Sequence, residues 1–100
     1  MKKITLICVG GMSTSILVSK MKKAAEVKGV EAEIIAIAEG RFKSEYSDKT
    51  DILLLGPQVG FMIDSYKKEY ESKGIKVDLI DSIDYGMMNG EKVLDKALNL

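Results

Sequence analysis

The sequence contains no histidine, and only one cysteine and one proline. Without histidine the chain cannot build zinc sites of the usual Cys/His kind, a Ser-His triad or a histidine general base from its own residues. Any imidazole chemistry must be supplied by a partner, and no metal or cofactor is expected. A single cysteine cannot close an internal disulfide, which agrees with a reducing, cytoplasmic compartment. Net charge is also lacking: 15 lysines and arginines balance 15 aspartates and glutamates. No basic stripe suggests nucleic acid. No apolar run approaches the roughly 18 residues of a spanning helix. The opening MKKITLICVGGM has too short an apolar part for a secretion signal and reads better as a strand.

What is present fits one packed domain, residues 1–100, of which 46% are hydrophobic and 30% charged. Lys3–Ile7 is β-branched and alternating, a strand. From about Ser13 the period becomes helical, with Leu17, Met21, Ala24 and Ala25 on one side and Lys20, Lys22, Lys23 and Glu26 on the other. Gly29 ends that helix. Val30–Ile37 is a second strand. Residues 38–50 are polar and mixed, with room for a short helix over 40–45. Asp51–Leu55 is continuously apolar, as in a strand buried on both faces. After the break at Gly56-Pro57-Gln58, a helical stripe of Val59, Met62, Ile63, Tyr66 and Tyr70 runs to Gly74. Ile75–Ile80 alternates and is assigned to a sheet edge. Residues 81–89 read as a loop, and Gly90–Leu98 as a last helix with Val93, Leu94, Ala97 and Leu98 inward. Alternating strands and helices predict an α/β fold: a four-stranded parallel sheet in the order 2-1-3-4, with helices on both faces. Strands 1 and 3 then leave in opposite directions, and a ligand crevice opens at their carboxyl ends.

The segment at the end of strand 1 is Cys8-Val9-Gly10-Gly11-Met12-Ser13-Thr14-Ser15. The two glycines let backbone N–H groups converge. The three hydroxyls can cap the following helix and donate hydrogen bonds. With the helix dipole these features make an anion cradle of phosphate size, whose field favours a thiolate at Cys8. A lone cysteine at a strand end is more often a small buried hydrophobe. Here its position directly before the cradle, at the switch point, argues for a phosphoryl-cysteine intermediate.

Low-molecular-weight tyrosine phosphatases carry a comparable loop, C-x5-R, whose arginine clamps the phosphate. The arginine position here is Thr14. Without bidentate charge stabilisation a hydrolase is disfavoured and a carrier is favoured. The form C-x-x-G-M-S-T-S resembles the active-site loop of the enzyme IIB component of the phosphoenolpyruvate-dependent sugar phosphotransferase system, lactose/cellobiose class. Gly56-Pro57-Gln58-Val59, Tyr85-Gly86-Met87-Met88-Asn89-Gly90 and Lys92-Val93-Leu94 also match that family's pattern. Val9 departs from it, since the family often has serine or alanine there.

The resemblance implies a phosphatase-like topology and a relay. Cys8 accepts a phosphoryl group from a phosphohistidine of the IIA component. It then passes the group to a sugar held by the membrane component IIC, a β-glucoside disaccharide such as cellobiose or chitobiose. The amides of residues 9–15 cradle the group. The chain is then a monomer that forms transient complexes, working at the inner face of the membrane through IIC. Two alternatives stay open at this level: a cysteine phosphatase or arsenate reductase-like enzyme, and a non-catalytic phosphate-binding module.

Other residues carry weaker signals. Gln58 lies beside the loop if strands 1 and 3 are neighbours. Asp84 and Tyr85 end up near strand 4's carboxyl end, where a phosphatase of this architecture places a general acid. Helix capping or solvation is the plainer reading of Asp84 and of Asp81. Met12 reads as a docking residue on the loop and Met62 as core, while Met87 and Met88 could join a docking surface. The lysines of residues 20–28 read as a solvated helix face.

Overall fold

A computed structural model of the chain describes residues 1–8, 12–42 and 49–100, with the backbone alone at residues 12, 13 and 39. Strand β1 (Lys2–Cys8) leads to helix α1 (Met12–Lys28) and strand β2 (Ala32–Ala38). Strand β3 (Ile52–Leu55) is followed by a 3-10 stretch (Pro57–Met62), helix α2 (Ile63–Tyr70) and strand β4 (Lys76–Leu79). Helices α3 (Ser82–Gly86) and α4 (Gly90–Leu98) complete the order.

The sheet order is β2-β1-β3-β4, and all three strand pairs are parallel. The order and the edge position of β4 are as the sequence predicts. Ile7 is in register with Ile37 on one side and Leu55 on the other. The period of two sends alternate residues of the central strands to opposite cores. Ile4 and Leu6, with Ile52 and Leu54, pack against Leu17, Met21 and Leu94 on the α1–α4 face. Ile7, Leu53 and Leu55 pack against Phe42, Tyr66 and Tyr70 on the α2 face. There the Phe42 and Tyr70 rings meet edge to face at 5.1 Å between centroids.

Two helical segments end on glycine in the left-handed region. At Gly29 (φ 70°), the Val30 amide bonds the Ala25 carbonyl and the Gly29 amide that of Glu26. At Gly74 (φ 86°), Ile75 and Gly74 do the same to Tyr70 and Glu71. The paired bonds are the Schellman arrangement, which satisfies carbonyls the helix leaves open. This is why β2 begins at Ala32 rather than at Val30: Val30 is still engaged with the helix end.

Two expectations need correction. The stripe after Gly56 is not one α-helix. Residues 57–62 are 3-10, with a kink at Val59 (φ −112°, ψ 20°), and α2 starts only at Ile63. Residues 81–89 are not simply a loop, because Ser82–Gly86 is helical. The Asp81 carboxylate caps that turn, accepting from the amides of Ile83 at 2.8 Å and Asp84 at 3.3 Å. In the 38–50 segment, Glu39–Arg41 is a 3-10 turn, and residues 43–45 of the expected helix lie outside the described residues.

The cap has a measurable consequence. Asp81→Ala should lower stability by about 1 kcal/mol in urea unfolding, with the slope of the transition unchanged. An unchanged midpoint would show that water replaces the carboxylate at no cost.

Both chain ends lie at the amino end of the strands. Lys2 begins β1, and the Lys76 ammonium at the start of β4 donates to the Leu100 carbonyl. No helix among the described residues is long and apolar enough to cross a membrane.

Candidate functional site

Cys8 is the last residue of β1, an inner strand, at the carboxyl end of the parallel sheet. It is 6% exposed, and its Sγ donates to the Ile37 carbonyl at 3.6 Å. Parallel strands direct the chain segments that follow β1 and β3 toward the same end of the sheet, on opposite faces. The burial of Cys8 follows from its neighbours: Ile37 and Ala38 on β2, and the β3 end across the ladder. The ladder between β1 and β3 continues one step past the strand, with the Gly56 amide donating to the Ile7 carbonyl at 2.9 Å.

Of the predicted cradle, Val9, Gly10 and Gly11 lie outside the described residues. Met12 and Ser13 begin α1. The first four N–H groups of a helix have no intrahelical acceptor, and with the dipole they present a positive end. No acidic residue stands in the first turn to neutralise it. Ser15 is exposed. Thr14 is 2% exposed. Its Oγ1 lies 3.0 Å from the phenolic oxygen of Tyr85, itself only 7% exposed.

Tyr85 and Gln58 both border the continuation of β3. A Cβ placed on Gly56 would stand 3.1 Å from Gln58 Oε1, 3.4 Å from the Ile7 carbonyl oxygen and 3.8 Å from Tyr85 Cε2. Gly56 is therefore the narrow meeting point of the 3-10 turn, the end of β1 and the Tyr85 ring, one residue before Cys8. The structure brings Gln58, Tyr85 and Thr14 together around that point.

Asp84 turns elsewhere. Its carboxylate is 3.8 Å from Lys92 Nζ on α4, and its carbonyl accepts from the Asn89 amide. These contacts belong to the packing of α3 on α4. Of the methionines, Met62 and Met88 are partly buried against the two cores, and Met87 is 71% exposed. Lys20, Lys22 and Lys23 are exposed. A groove of about 490 Å³ runs past Lys20 and Lys23 between α1 and the start of α4, and Cys8 does not line it.

The Thr14–Tyr85 pair was not legible in the sequence. Both residues stood out singly, one as a phosphate ligand and the other as a possible accessory group. Nothing in their spacing of 71 positions announces a contact.

The architecture is that of the low-molecular-weight tyrosine phosphatase fold. A solution structure of such a phosphatase from Bacillus subtilis superimposes with a TM-score of 0.55 at 16% identity, covering 97% of each chain. Within that fold class the chain belongs to the PTS system, lactose/cellobiose specific IIB subunit family, whose family model matches residues 3–96. Members of the family are phosphotransferase components of sugar uptake. The chain is 48% identical over 103 residues to the cellobiose-specific EIIB component of Lactococcus lactis subsp. lactis, covering 99% of this chain and 95% of that one. It is equally identical, with the same coverage, to the galactose-specific EIIB component of Lactococcus lactis subsp. cremoris. Identity to the oligo-beta-mannoside-specific EIIB component of Bacillus subtilis is 45% over 100 residues, all of this chain and 96% of that one. The solution structure of a cellobiose-specific IIB component from Borrelia burgdorferi matches with a TM-score of 0.78 at 47% identity, covering 98% of this chain and 89% of that one.

Proposed function

We propose that this chain is a cytoplasmic phosphoryl carrier acting as one IIB domain, with Cys8 as the phosphorylated residue. The observation that carries the reading is the position of the single cysteine of a IIB-family chain. It ends an inner strand at the switch point, directly before the positive end of α1.

In the first half-reaction the Cys8 thiolate attacks phosphorus of a phosphohistidine on a IIA component. The S–P bond forms, the N–P bond breaks, and the electron pair stays on the imidazole nitrogen. In the second, a sugar hydroxyl held by the membrane component IIC attacks the same phosphorus. The O–P bond forms, the S–P bond breaks, and the hydroxyl proton leaves to solvent or to a base on the acceptor. The chain returns with its thiolate free. The backbone amides of residues 9–15 are the proposed cradle for the equatorial oxygens in both steps. The absence of histidine fits the scheme, because the imidazole belongs to the donor.

The sugar is a β-linked disaccharide of the cellobiose type, supported by the cellobiose-specific relatives. Relatives of near-equal similarity carry three different sugar names, which is expected if IIC does the selecting. Complexes with IIA and IIC are transient and the free chain is a monomer.

The test is intact-protein mass spectrometry after incubation with phosphoenolpyruvate, the general phosphotransferase proteins and a series of IIA components. The expected outcome is a gain of one phosphoryl group, labile as a thiophosphate is. No gain with any phosphorylated IIA would leave a phosphate-binding module as the better reading.

A further inference from the structure

The hydroxyl pair between Thr14 and Tyr85 joins two parts of the chain that the relay treats differently. Thr14 lies in the first turn of α1, whose amide groups form the positive end of the helix that follows Cys8 in the chain. Tyr85 lies in α3, beyond the far edge strand β4. Their oxygens are 3.0 Å apart in a buried setting, and either hydroxyl can donate. A buried hydrogen bond between neutral groups is geometrically strict, and losing the Tyr85 hydroxyl takes from the buried Thr14 the partner it has here.

Tyr85 is itself held from several sides. The Asp81 carboxylate caps α3, and the Tyr85 amide donates to the Asp81 carbonyl at 2.9 Å. The ring stands over Gly56, where an added Cβ would come within 3.8 Å of Cε2. Further along the chain, Met88 is the one non-glycine with positive φ (52°) among the described residues. Its amide donates to the Tyr85 carbonyl at 3.0 Å. These contacts fix the tyrosine against the sheet, so the phenol is a stationary post against which the start of α1 is set.

We propose that Tyr85 is a positioning residue for phosphoryl transfer: by holding the Thr14 hydroxyl it fixes the first turn of α1, and with it the share of the cradle that the amides of residues 12–15 supply to the phosphoryl group on Cys8. The inference rests on the reading of Cys8 as the carrier. Transfer rates fall steeply when a preorganised donor set loosens, because donors must already point where charge develops. In this scheme the tyrosine acts through Thr14, so its effect falls on the rate of transfer and not on how tightly a IIA component docks.

The experiment is single-turnover transfer from a histidine-phosphorylated IIA component to the full chain, at varied IIA concentration. The wild type is compared with Tyr85→Phe, Thr14→Val, Thr14→Ser and the Tyr85→Phe/Thr14→Val double variant. Far-UV circular dichroism of each verifies folding. The expected result is a maximal rate lowered about tenfold in Tyr85→Phe, with the half-saturating IIA concentration unchanged. Thr14→Val shows a similar loss, the double variant is no worse than either single, and Thr14→Ser, which keeps the hydroxyl, recovers most of the rate.

A maximal rate in Tyr85→Phe equal to wild type overturns the inference and leaves the carrier reading standing. So does a double variant whose loss is the product of the two singles, since the groups then act independently. If Thr14→Val does not fold, the Tyr85→Phe and Thr14→Ser rates decide alone. A wild type that accepts no phosphoryl group from any phosphorylated IIA overturns the carrier reading, and the inference with it.

Discussion

Cys8→Ala should accept no phosphoryl group from a IIA component that phosphorylates the wild type. In a coupled sugar phosphorylation assay its rate should fall more than about a thousandfold. The size of the effect follows from what else the chain offers. It has no second cysteine and no histidine to take over as nucleophile. Alanine is a stricter test than serine, because a serine hydroxyl at the same position could still accept phosphorus slowly. The fold should survive. Cys8 is buried, but truncating it removes one sulfur whose single assigned bond is a long one to the Ile37 carbonyl. The cost is about 1–2 kcal/mol of stability. Mass spectrometry and a thermal melt on the same sample separate the two effects. A Cys8→Ala variant that still gains a phosphoryl group would place the carrier residue elsewhere in the chain. A variant that is unfolded would make Cys8 a packing residue first.

The second large effect is structural. Gly90→Ala should destabilise the chain by about 3 kcal/mol, a fall of roughly 12–24 °C in melting temperature for a domain of this size. A Cβ at Gly90 would stand 2.6 Å from the Lys20 carbonyl carbon and from the Met21 amide nitrogen, and 2.7 Å from Lys20 Cβ. Two of these atoms are backbone, in the middle of α1, and cannot turn aside as a side-chain tip can. The first residue of α4 therefore touches the α1 backbone directly, and alanine forces the helices apart. The movement opens the core that Leu17, Met21, Val93 and Leu94 fill. Gly86→Ala is the control. An added Cβ there meets nothing within 4 Å, and alanine suits a helix end at least as well as glycine. It should melt within a few degrees of wild type. Equal melting of the two variants would mean that α4 shifts along α1 without loss.

The parallel sheet was legible because its signals are long and periodic. Leu53, Leu54 and Leu55 form a run that makes sense only with both faces covered, and the alternation in residues 75–80 marks an edge. Gly90–Leu98 coincides with its predicted bounds, because Val93, Leu94 and Ala97 recur at helical spacing. Helix α3 was hidden for the opposite reason. Five residues make little more than one turn, too short for a period to repeat, and the Asp81 cap carries the turn. The 3-10 start of the segment after Gly56 was missed because Val59 and Met62 satisfy a spacing of three as well as one of 3.6. At the site, Cys8 could be singled out from composition and position. The engagement of Thr14 could not, because its partner comes from the other end of the chain.

The placement of both chain ends at the amino pole of the strands has a practical corollary. A tag, surface tether or fused domain attached at Met1 or Leu100 starts at the pole opposite Cys8. A β1-length span, about 23 Å for 7 residues, separates the attachment point from the cysteine. Immobilisation through either terminus therefore leaves the pole that carries Cys8 facing solution.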